Sequence, residues 1–244
     1  MDDISRPTSP EGRNVDAGQG MAWWSQAWAL FMKNAGLWIV FGLIFIFGSI
    51  FLEMLPILGT IVSSLLTPVL IGGWMMAARK LDQGGTLEVS DLFAGFGPKL
   101  SSLLLVGVAV LVCKIVFGGV IAVFGIGAFG SFFGGAALHS NFMMMTGLGM
   151  GMVSVLLLFV LAFVLIALMW FAPALVALGE VPPVDALKAS ASMSLRNVGA
   201  FTVFGLLSLL FSILATIPAG LGWIVLFPVG TLAMYTSYQD LFGR

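Results

Sequence analysis

Few residues in this sequence are of types that carry out chemistry, and those few stand far apart. The single histidine, His139, and the single cysteine, Cys113, have no second histidine or cysteine beside them. A nucleophile needs a general base within hydrogen-bond reach, and a zinc site needs three or four protein ligands. Neither pattern is present, and there is no phosphate-binding Gly-x-x-x-x-Gly-Lys loop. The sequence therefore predicts no catalytic residue, no cofactor and no enzyme activity.

One segment has residues that could hold a soft metal ion. Residues 139–145 read His-Ser-Asn-Phe-Met-Met-Met, and Met150 and Met152 follow them. Thioether sulfur and imidazole are ligands that suit Cu(I). Adjacent methionines point in different directions along a helix, however, and methionine commonly fills gaps in apolar packing. Packing is the favoured interpretation, so no metal site is predicted.

The composition places the chain in a membrane. Of its 244 residues, 60% are hydrophobic and 9% are charged, whereas soluble domains carry about 25% charged residues. So little charge cannot cover a protein surface in water, which excludes a soluble globular fold. The net charge of -1 indicates no nucleic-acid partner. Residues 1–20 are polar and are predicted to form a disordered cytoplasmic tail, and residues 21–244 to form the membrane domain.

A membrane helix needs about 20 mostly apolar residues, and the charged residues divide the chain at this length. The prediction is an all-α, polytopic bundle of six transmembrane helices. The spans are predicted over 34–52, 54–78, 99–124 and 147–172, and twice within 197–239, which divides at 218–222. The Gly-rich stretch 125–147 is interpreted as a connection, either a loop or a short re-entrant helix. A seventh crossing is the alternative there.

The basic residues favour six spans. In that arrangement every basic residue except Lys114 lies on one side of the membrane, whereas seven spans would lose this segregation. Because cytoplasmic loops carry the excess of lysine and arginine, both termini are predicted to be cytoplasmic. The expected location is the inner (cytoplasmic) membrane of a bacterium.

Lys114 is the one basic residue inside a predicted span. It lies about 22 Å along its helix from Lys99, and Glu53 lies about 30 Å from Lys33, at about 1.5 Å per residue. An unpaired lysine at mid-membrane costs about 2.5–3.5 kcal/mol. We predict that Lys114 lies near the outer interface with Glu53 as its partner. A lysine whose stem reaches the headgroups alone is the alternative.

Three prolines inside the predicted spans are candidate helix-break positions: Pro68, Pro173 and Pro228. A proline inside a helix removes one backbone hydrogen bond, and the freed carbonyl must find a partner in protein or water. Transporters use broken helices to build binding sites near the midplane. A structural kink at a repeat junction is the favoured interpretation.

The sequence contains an internal repeat. Residues 33–43 read KNAGLWIVFGL and residues 196–206 read RNVGAFTVFGL. With a weaker middle copy, the match predicts three hairpin units, approximately over 21–82, 86–180 and 183–242. Units with an even number of spans are related by an axis along the membrane normal. Gly42 and Gly205 are therefore expected at equivalent positions.

Each unit is predicted to begin with a short amphipathic helix. The apolar positions are Trp24, Trp28 and Phe31 in the first helix, Val89, Leu92, Phe93 and Phe96 in the second, and Val184, Leu187, Ala191 and Leu195 in the third. Helices with one apolar face beside basic residues lie in the headgroup plane. Anchoring of the bundle is the favoured role, and a binding surface is the alternative.

Three blocks of the chain carry a resemblance to a known family: residues 67–96, 196–207 and 217–242, with Tyr235 to Phe242 as the most specific piece. They resemble a family of uncharacterised six-span inner-membrane proteins of proteobacteria. The chain is also distantly similar to YciC-type proteins and to the membrane domain of some glycerophosphodiester phosphodiesterases. The resemblance covers nearly the whole chain from Trp23. It implies the fold and the location, and it supplies no activity and no catalytic residues.

Two functions are expected from these features. The favoured one is a non-enzymatic membrane scaffold or envelope-maintenance protein, which acts through the lipid bilayer or through a membrane or cytoplasmic protein partner. The alternative is a small transporter or channel for a lipid-like or uncharged solute, because a transporter of charged solutes should bury several ionisable residues. A continuous polar cavity beside Pro68 and Pro228 would favour transport, and a filled core would favour the scaffold.

Overall fold

The computed structural model describes residues 12–243, and these residues form helices and turns without a β-strand. The ten α-helices are α1 (Gln19–Lys33), α2 (Ala35–Glu53), α3 (Pro56–Asp82), α4 (Leu100–Val120), α5 (Ile126–Ala137), α6 (Asn141–Met169), α7 (Ala172–Gly179), α8 (Pro183–Arg196), α9 (Val198–Thr216) and α10 (Trp223–Phe242). A 3-10 helix, Val89–Phe96, precedes α4, and a π-helical turn, Ile121–Gly125, joins α4 to α5. The all-α prediction is confirmed.

Five helical segments are long and apolar enough to cross a membrane. They are α2, α3, the segment from α4 through α5, the segment from α6 through α7, and α9. The sixth predicted span corresponds to α10, which is not among these five. Although α10 has 20 residues, its second half contains Thr236, Ser237, Gln239 and Asp240, and these polar residues lower its mean hydropathy.

The described part of the chain divides into two compact units, of which the first comprises residues 12–108 and 167–243. In this unit α1 packs across α9 and α10, and α3 contacts α2, α7 and the 3-10 helix. Its core is aromatic. Trp38 and Trp74 are fully buried and stack with 5.8 Å between ring centroids. Phe41 packs edge-on against both rings, so large side chains fill the interior.

The second unit, Ala109–Ile166, is an antiparallel helical hairpin. The helix begun by α4 continues through the π-helical turn into α5, and the chain turns at residues 138–140 into α6. A Cβ atom on Gly147 would lie 2.5 Å from the backbone nitrogen of Phe132. A Cβ atom on Gly135 would lie 2.6 Å from the backbone nitrogen of Met144. The two helices therefore touch through their glycines.

The stretch 125–147 is therefore not a loop, because it is helical except for the turn at residues 138–140, and whether it is re-entrant or crosses the membrane stays a prediction. In an apolar chain the helix satisfies the backbone hydrogen bonds, and glycine allows two helix backbones to approach closely. The stretch accordingly forms α5 and the start of α6. The reversal needs only a short turn, in which His139 takes a φ of 52°.

The short helices predicted at the start of each unit correspond to α1, the 3-10 helix and α8. Their buried faces differ from the predicted apolar positions. In α1 the side chains of Trp24 and Phe31 are buried, while Trp28 is half exposed. In α8 the predicted positions Val184 and Leu195 are exposed. Its buried face consists instead of Ala186, Ser190, Met193 and Ser194. Small side chains on that face let α8 lie close to its neighbours, and the location of these helices in the headgroup plane stays a prediction.

The helix bounds follow the repeat in the sequence. Helices α2 and α9 both have 19 residues, and the offset of the repeat carries each end of α2 onto the corresponding end of α9. The same offset carries Lys33 at the end of α1 onto Arg196 at the end of α8. Asn34 and Asn197 occupy the N-cap positions of α2 and α9. Local structure therefore repeats at this offset.

The surroundings of the repeated positions differ. A Cβ atom on Gly42 would lie 2.9 Å from Cγ of Pro228, whereas a Cβ atom on Gly205 would meet no atom within 4 Å. Gly42 thus allows α2 to approach α10, and Gly205 has no such neighbour. The internal duplication and its axis along the membrane normal stay predictions.

Candidate functional site

Charged side chains of the first unit gather where α1, α3, α7 and α10 end. The ion pairs join Lys33 to Asp82 at 3.4 Å, Lys80 to Asp91 at 2.9 Å, Lys99 to Glu180 at 2.9 Å, and Arg13 to Asp240. Every basic residue in these pairs is one that the sequence assigns to the cytoplasmic side. Exposed ion pairs contribute about 0–1 kcal/mol each, so the pair of Lys33 and Asp82, whose side chains are both about half exposed, adds little to stability.

Tyr235 belongs to the segment from Tyr235 to Phe242 that carries the most specific part of the resemblance. It links α10 to the charged residues at the ends of α1 and α3. Its side chain is almost fully buried, and its hydroxyl donates a hydrogen bond to Asp82 Oδ2 at 3.2 Å. The same hydroxyl accepts a hydrogen bond from Gln239 Nε2 at 2.8 Å. Because Asp82 also pairs with Lys33, one carboxylate connects the ends of α1 and α3 to α10.

Asp240, five residues further along α10, holds the N-terminal segment. Its carboxylate accepts a hydrogen bond from Trp23 Nε1 at 2.8 Å and pairs with Arg13. The Val15 backbone N–H donates to Asn197 Oδ1 at 2.8 Å. Residues 1–11 of the predicted disordered tail lie outside the described residues. Residues 12–18 are hydrogen-bonded to the end of α10 and to Asn197.

An apolar groove of about 630 Å³ lies between α1, α9 and α10. Its α1 wall consists of Met21, Trp24, Ser25 and Trp28. Its α9 and α10 walls are formed by Leu207, Phe211, Leu214, Ala215, Gly222, Val225, Leu226 and Val229. At one end the two walls converge, because a Cβ atom on Gly222 would lie 2.5 Å from the Cα atom of Ala215. The groove suits an apolar chain, since no charged residue lines it.

A smaller pocket of about 290 Å³ adjoins this groove. Trp24 and Leu226 line both cavities, and Phe204 stacks on the Trp24 ring with 5.2 Å between centroids. The pocket is lined by three hydroxyl groups, which belong to Ser208, Ser212 and Thr231, whereas the groove has one, on Ser25. The pocket therefore offers more hydrogen-bonding groups than the groove.

Each of the three hydroxyls donates its hydrogen to a carbonyl of its own helix. Ser208 Oγ donates to the Phe204 carbonyl at 2.7 Å, and Ser212 Oγ donates to the Ser208 carbonyl at 2.7 Å. Thr231 Oγ1 donates to the Phe227 carbonyl at 3.0 Å. This bond to the fourth preceding residue satisfies a hydroxyl in an apolar helix, and it leaves the oxygen lone pairs as acceptors.

The predicted helix-break prolines lie at two kinds of position. Pro68 and Pro228 are buried inside α3 and α10. The carbonyl that Pro68 frees is that of Ser64, and Gly107 of α4 packs there, with its ideal Cβ position 2.9 Å from that oxygen. Pro173 stands in the first turn of α7, directly after the break between α6 and α7. Pro228 lines neither the groove nor the adjoining pocket, and the walls of both are mostly apolar.

Lys114 and Glu53 belong to different units. Glu53 is the last residue of α2 in the first unit, and Lys114 lies on α4 in the second. Their pairing stays a prediction.

The methionines of the hairpin point to several sides. Met143 and Met150 lie over the glycines of α5, while Met145 and Met152 are exposed. This arrangement is that of packing side chains. Among residues 12–243, no group of three His, Cys, Asp or Glu side chains comes together.

The sequence did not predict the residues that form two features of the first unit, the charged helix ends and the hydroxyl-lined pocket. The resemblance singled out Tyr235 to Phe242 but gave no partner for Tyr235 or Asp240. The hydroxyls of Ser208 and Ser212 recur every four residues along α9, which was a usable signal of one polar stripe. Asp82 gave no signal, because its role depends on a helix far away in the sequence.

Comparisons with known proteins indicate a family. No protein-family model matches the chain, and no solved structure matches it. A protein of Burkholderia thailandensis, described as a "Probable inner membrane protein", is 31% identical over 208 residues, which cover 79% of this chain and 73% of the relative. The chain therefore belongs to the family of that inner-membrane protein.

Proposed function

We propose that this is a non-enzymatic integral inner-membrane protein that serves as a scaffold or in envelope maintenance through lipid or protein partners. The observation that carries the proposal is the filled core of the first unit. Trp23, Trp38 and Trp74 are fully buried there, and the adjoining cavities are lined mostly by apolar side chains. A packed core beside an apolar groove suits holding a lipid better than conducting a solute.

The proposal includes six spans with both termini in the cytoplasm. Helix α10 would be the sixth span, since 20 residues give a length of about 30 Å, the thickness of the hydrocarbon core. The ion pairs at the ends of α1, α3 and α10 would then lie on the cytoplasmic side, as the positive-inside rule requires. The similarity to YciC-type proteins and to the phosphodiesterase membrane domain stays a resemblance.

The groove between α1, α9 and α10 supports a lipid partner. Met21 is 60% exposed and Trp28 is 50% exposed at its edge, so apolar side chains stand open to whatever surrounds the helices. In a bilayer this is the acyl region and its boundary with the headgroups, where tryptophan is enriched. A lipid tail that fills the groove would cover these side chains.

The second candidate function is transport of a lipid-like or uncharged solute. The hydroxyls of Ser208, Ser212 and Thr231 favour it, because they place hydrogen-bonding groups in a pocket between two helices. Proteoliposomes separate the two functions. A scaffold leaves the rate of glycerol-driven swelling equal to that of protein-free liposomes, whereas a channel for small uncharged solutes raises it.

The scaffold itself is tested in the native bacterium. Deletion of the gene should increase uptake of a membrane-impermeant dye, and expression of the full chain should restore the barrier. An unchanged barrier in the deletion strain under detergent stress, together with faster swelling of proteoliposomes, would replace the scaffold with the transporter.

A further inference from the structure

We propose that the pocket between α9 and α10 binds the hydroxyl head of an uncharged lipid, whose tail lies in the adjoining apolar groove. The ligand class is a neutral amphiphile with an O–H donor, such as a long-chain alcohol. This inference rests on the proposed lipid partner and specifies its chemistry.

The pocket offers acceptors, so the ligand must supply the donor. The hydrogens of Ser208, Ser212 and Thr231 are directed to carbonyls of their own helices. A hydroxyl oxygen keeps two lone pairs for other donors. Within residues 12–243, no group donates a hydrogen bond to these three oxygens. An alcohol can donate its one O–H to one of these oxygens, whereas an ether or a hydrocarbon has no O–H to donate.

Thr216, one turn beyond Ser212, shows what such a hydroxyl accepts. Its Oγ1 donates to the Ser212 carbonyl at 2.8 Å, which is the same bond that the pocket hydroxyls make. It also accepts a hydrogen bond from Trp223 Nε1 at 3.3 Å. The Thr216 hydroxyl thus accepts a hydrogen bond from a neutral N–H donor of the protein itself. The three pocket hydroxyls present the same acceptor to the cavity.

The lining of the two cavities excludes an ionised head. No Asp, Glu, Lys or Arg lines either of them. A charged head would lose its hydration without gaining an opposite charge, which is costly in an apolar environment. A hydroxyl head has one O–H to donate, and the pocket can supply the acceptor.

The groove supplies the place for the tail. Trp24 and Leu226 line both pocket and groove, so the two cavities are neighbours, and the proposal places one molecule across both. Apart from Ser25, the side chains that line the groove are apolar, and the groove has the larger volume, about 630 Å³ against 290 Å³. A small polar end beside a larger apolar volume matches the shape of an amphiphile with a hydroxyl head.

Photocrosslinking of the full chain in phosphatidylcholine nanodiscs tests the proposal. The probes are a diazirine-bearing hexadecanol and its methyl ether, which differ in the O–H donor. We expect the alcohol to label peptides of α9 and α10 about three- to tenfold more than the ether, the range that one hydrogen bond gives. The variant S208A/S212A/T231V should bring the ratio close to one. The variant T202A is the matched control, because Thr202 is exposed and makes the same bond to its own helix.

The outcomes are distinct. Equal labelling by alcohol and ether would overturn recognition of the hydroxyl while leaving a lipid in the groove. Labelling by neither probe would overturn both the inference and the groove as a lipid site, whereas the scaffold role is decided by the deletion strain. A ratio that survives in the triple variant would overturn the assignment to these hydroxyls. The two probes are compared on the unaltered protein, so this test holds even if the triple variant does not fold.

Discussion

At the scale of single residues, Asp240 of α10 binds both Trp23 of α1 and Arg13 of the N-terminal segment. No sequence pattern predicted these two contacts. Asp240→Ala removes the acceptor of the buried Trp23 indole N–H. An unsatisfied buried donor costs about 1–3 kcal/mol, so we expect a lower melting temperature for this variant in detergent. Arg13→Ala is the control, since its side chain is 63% exposed and an exposed pair contributes about 0–1 kcal/mol. Equal losses in the two variants would show that the Trp23 bond contributes nothing.

The same residues show how far sequence reasoning reaches. Residue types alone predicted that chemistry is sparse and that charge lies on one side, because both follow from composition and charge spacing. The partners of Asp82 and Asp240 could not be predicted. Their contacts join α3 and the N-terminal segment to α10, and no local pattern specifies which of several carboxylates Tyr235 or Trp23 will reach.

At the scale of elements, two glycines of α6 give opposite predictions. Gly147→Ala places a Cβ atom 2.5 Å from the backbone nitrogen of Phe132 and forces α5 and α6 apart, whereas Gly149→Ala meets no atom within 4 Å. Overpacking costs about 1–3 kcal/mol, while alanine in place of an unneeded helical glycine stabilises by about 0.5–1 kcal/mol. Thermal unfolding followed by circular dichroism should show a loss for the first variant and a gain for the second.

A gain in stability, or no change, in the Gly147→Ala variant would contradict the packed hairpin.

The hairpin is also where the sequence prediction differs most from the structure. Apolar length and the charged residues located α2, α3 and α9 to within a few residues, since long apolar runs have few alternatives. Glycine has two opposite meanings, as a turn residue and as a packing residue, and only the neighbouring helix decides between them.

At the scale of the whole molecule, the segregation of charge predicts the topology. A reporter fused at Arg244 should be active only when it is a cytoplasmic reporter, and one inserted within 136–142 only when it is a periplasmic reporter. The reason is that cytoplasmic segments retain lysine and arginine. A periplasmic signal at Arg244 would reject the six-span arrangement and the cytoplasmic location of the ion pairs.

The central claim is that the groove between α1, α9 and α10 holds a lipid, and native mass spectrometry of the intact protein tests it most directly. Ser25 lines the groove, while Gln26 is exposed beside it on α1 and does not line it. Ser25→Trp should fill the groove and lower the lipid retained per chain, while Gln26→Trp should retain as much lipid as the unaltered protein. Equal retention by the two variants, or an unaltered protein that carries no lipid, would contradict the account.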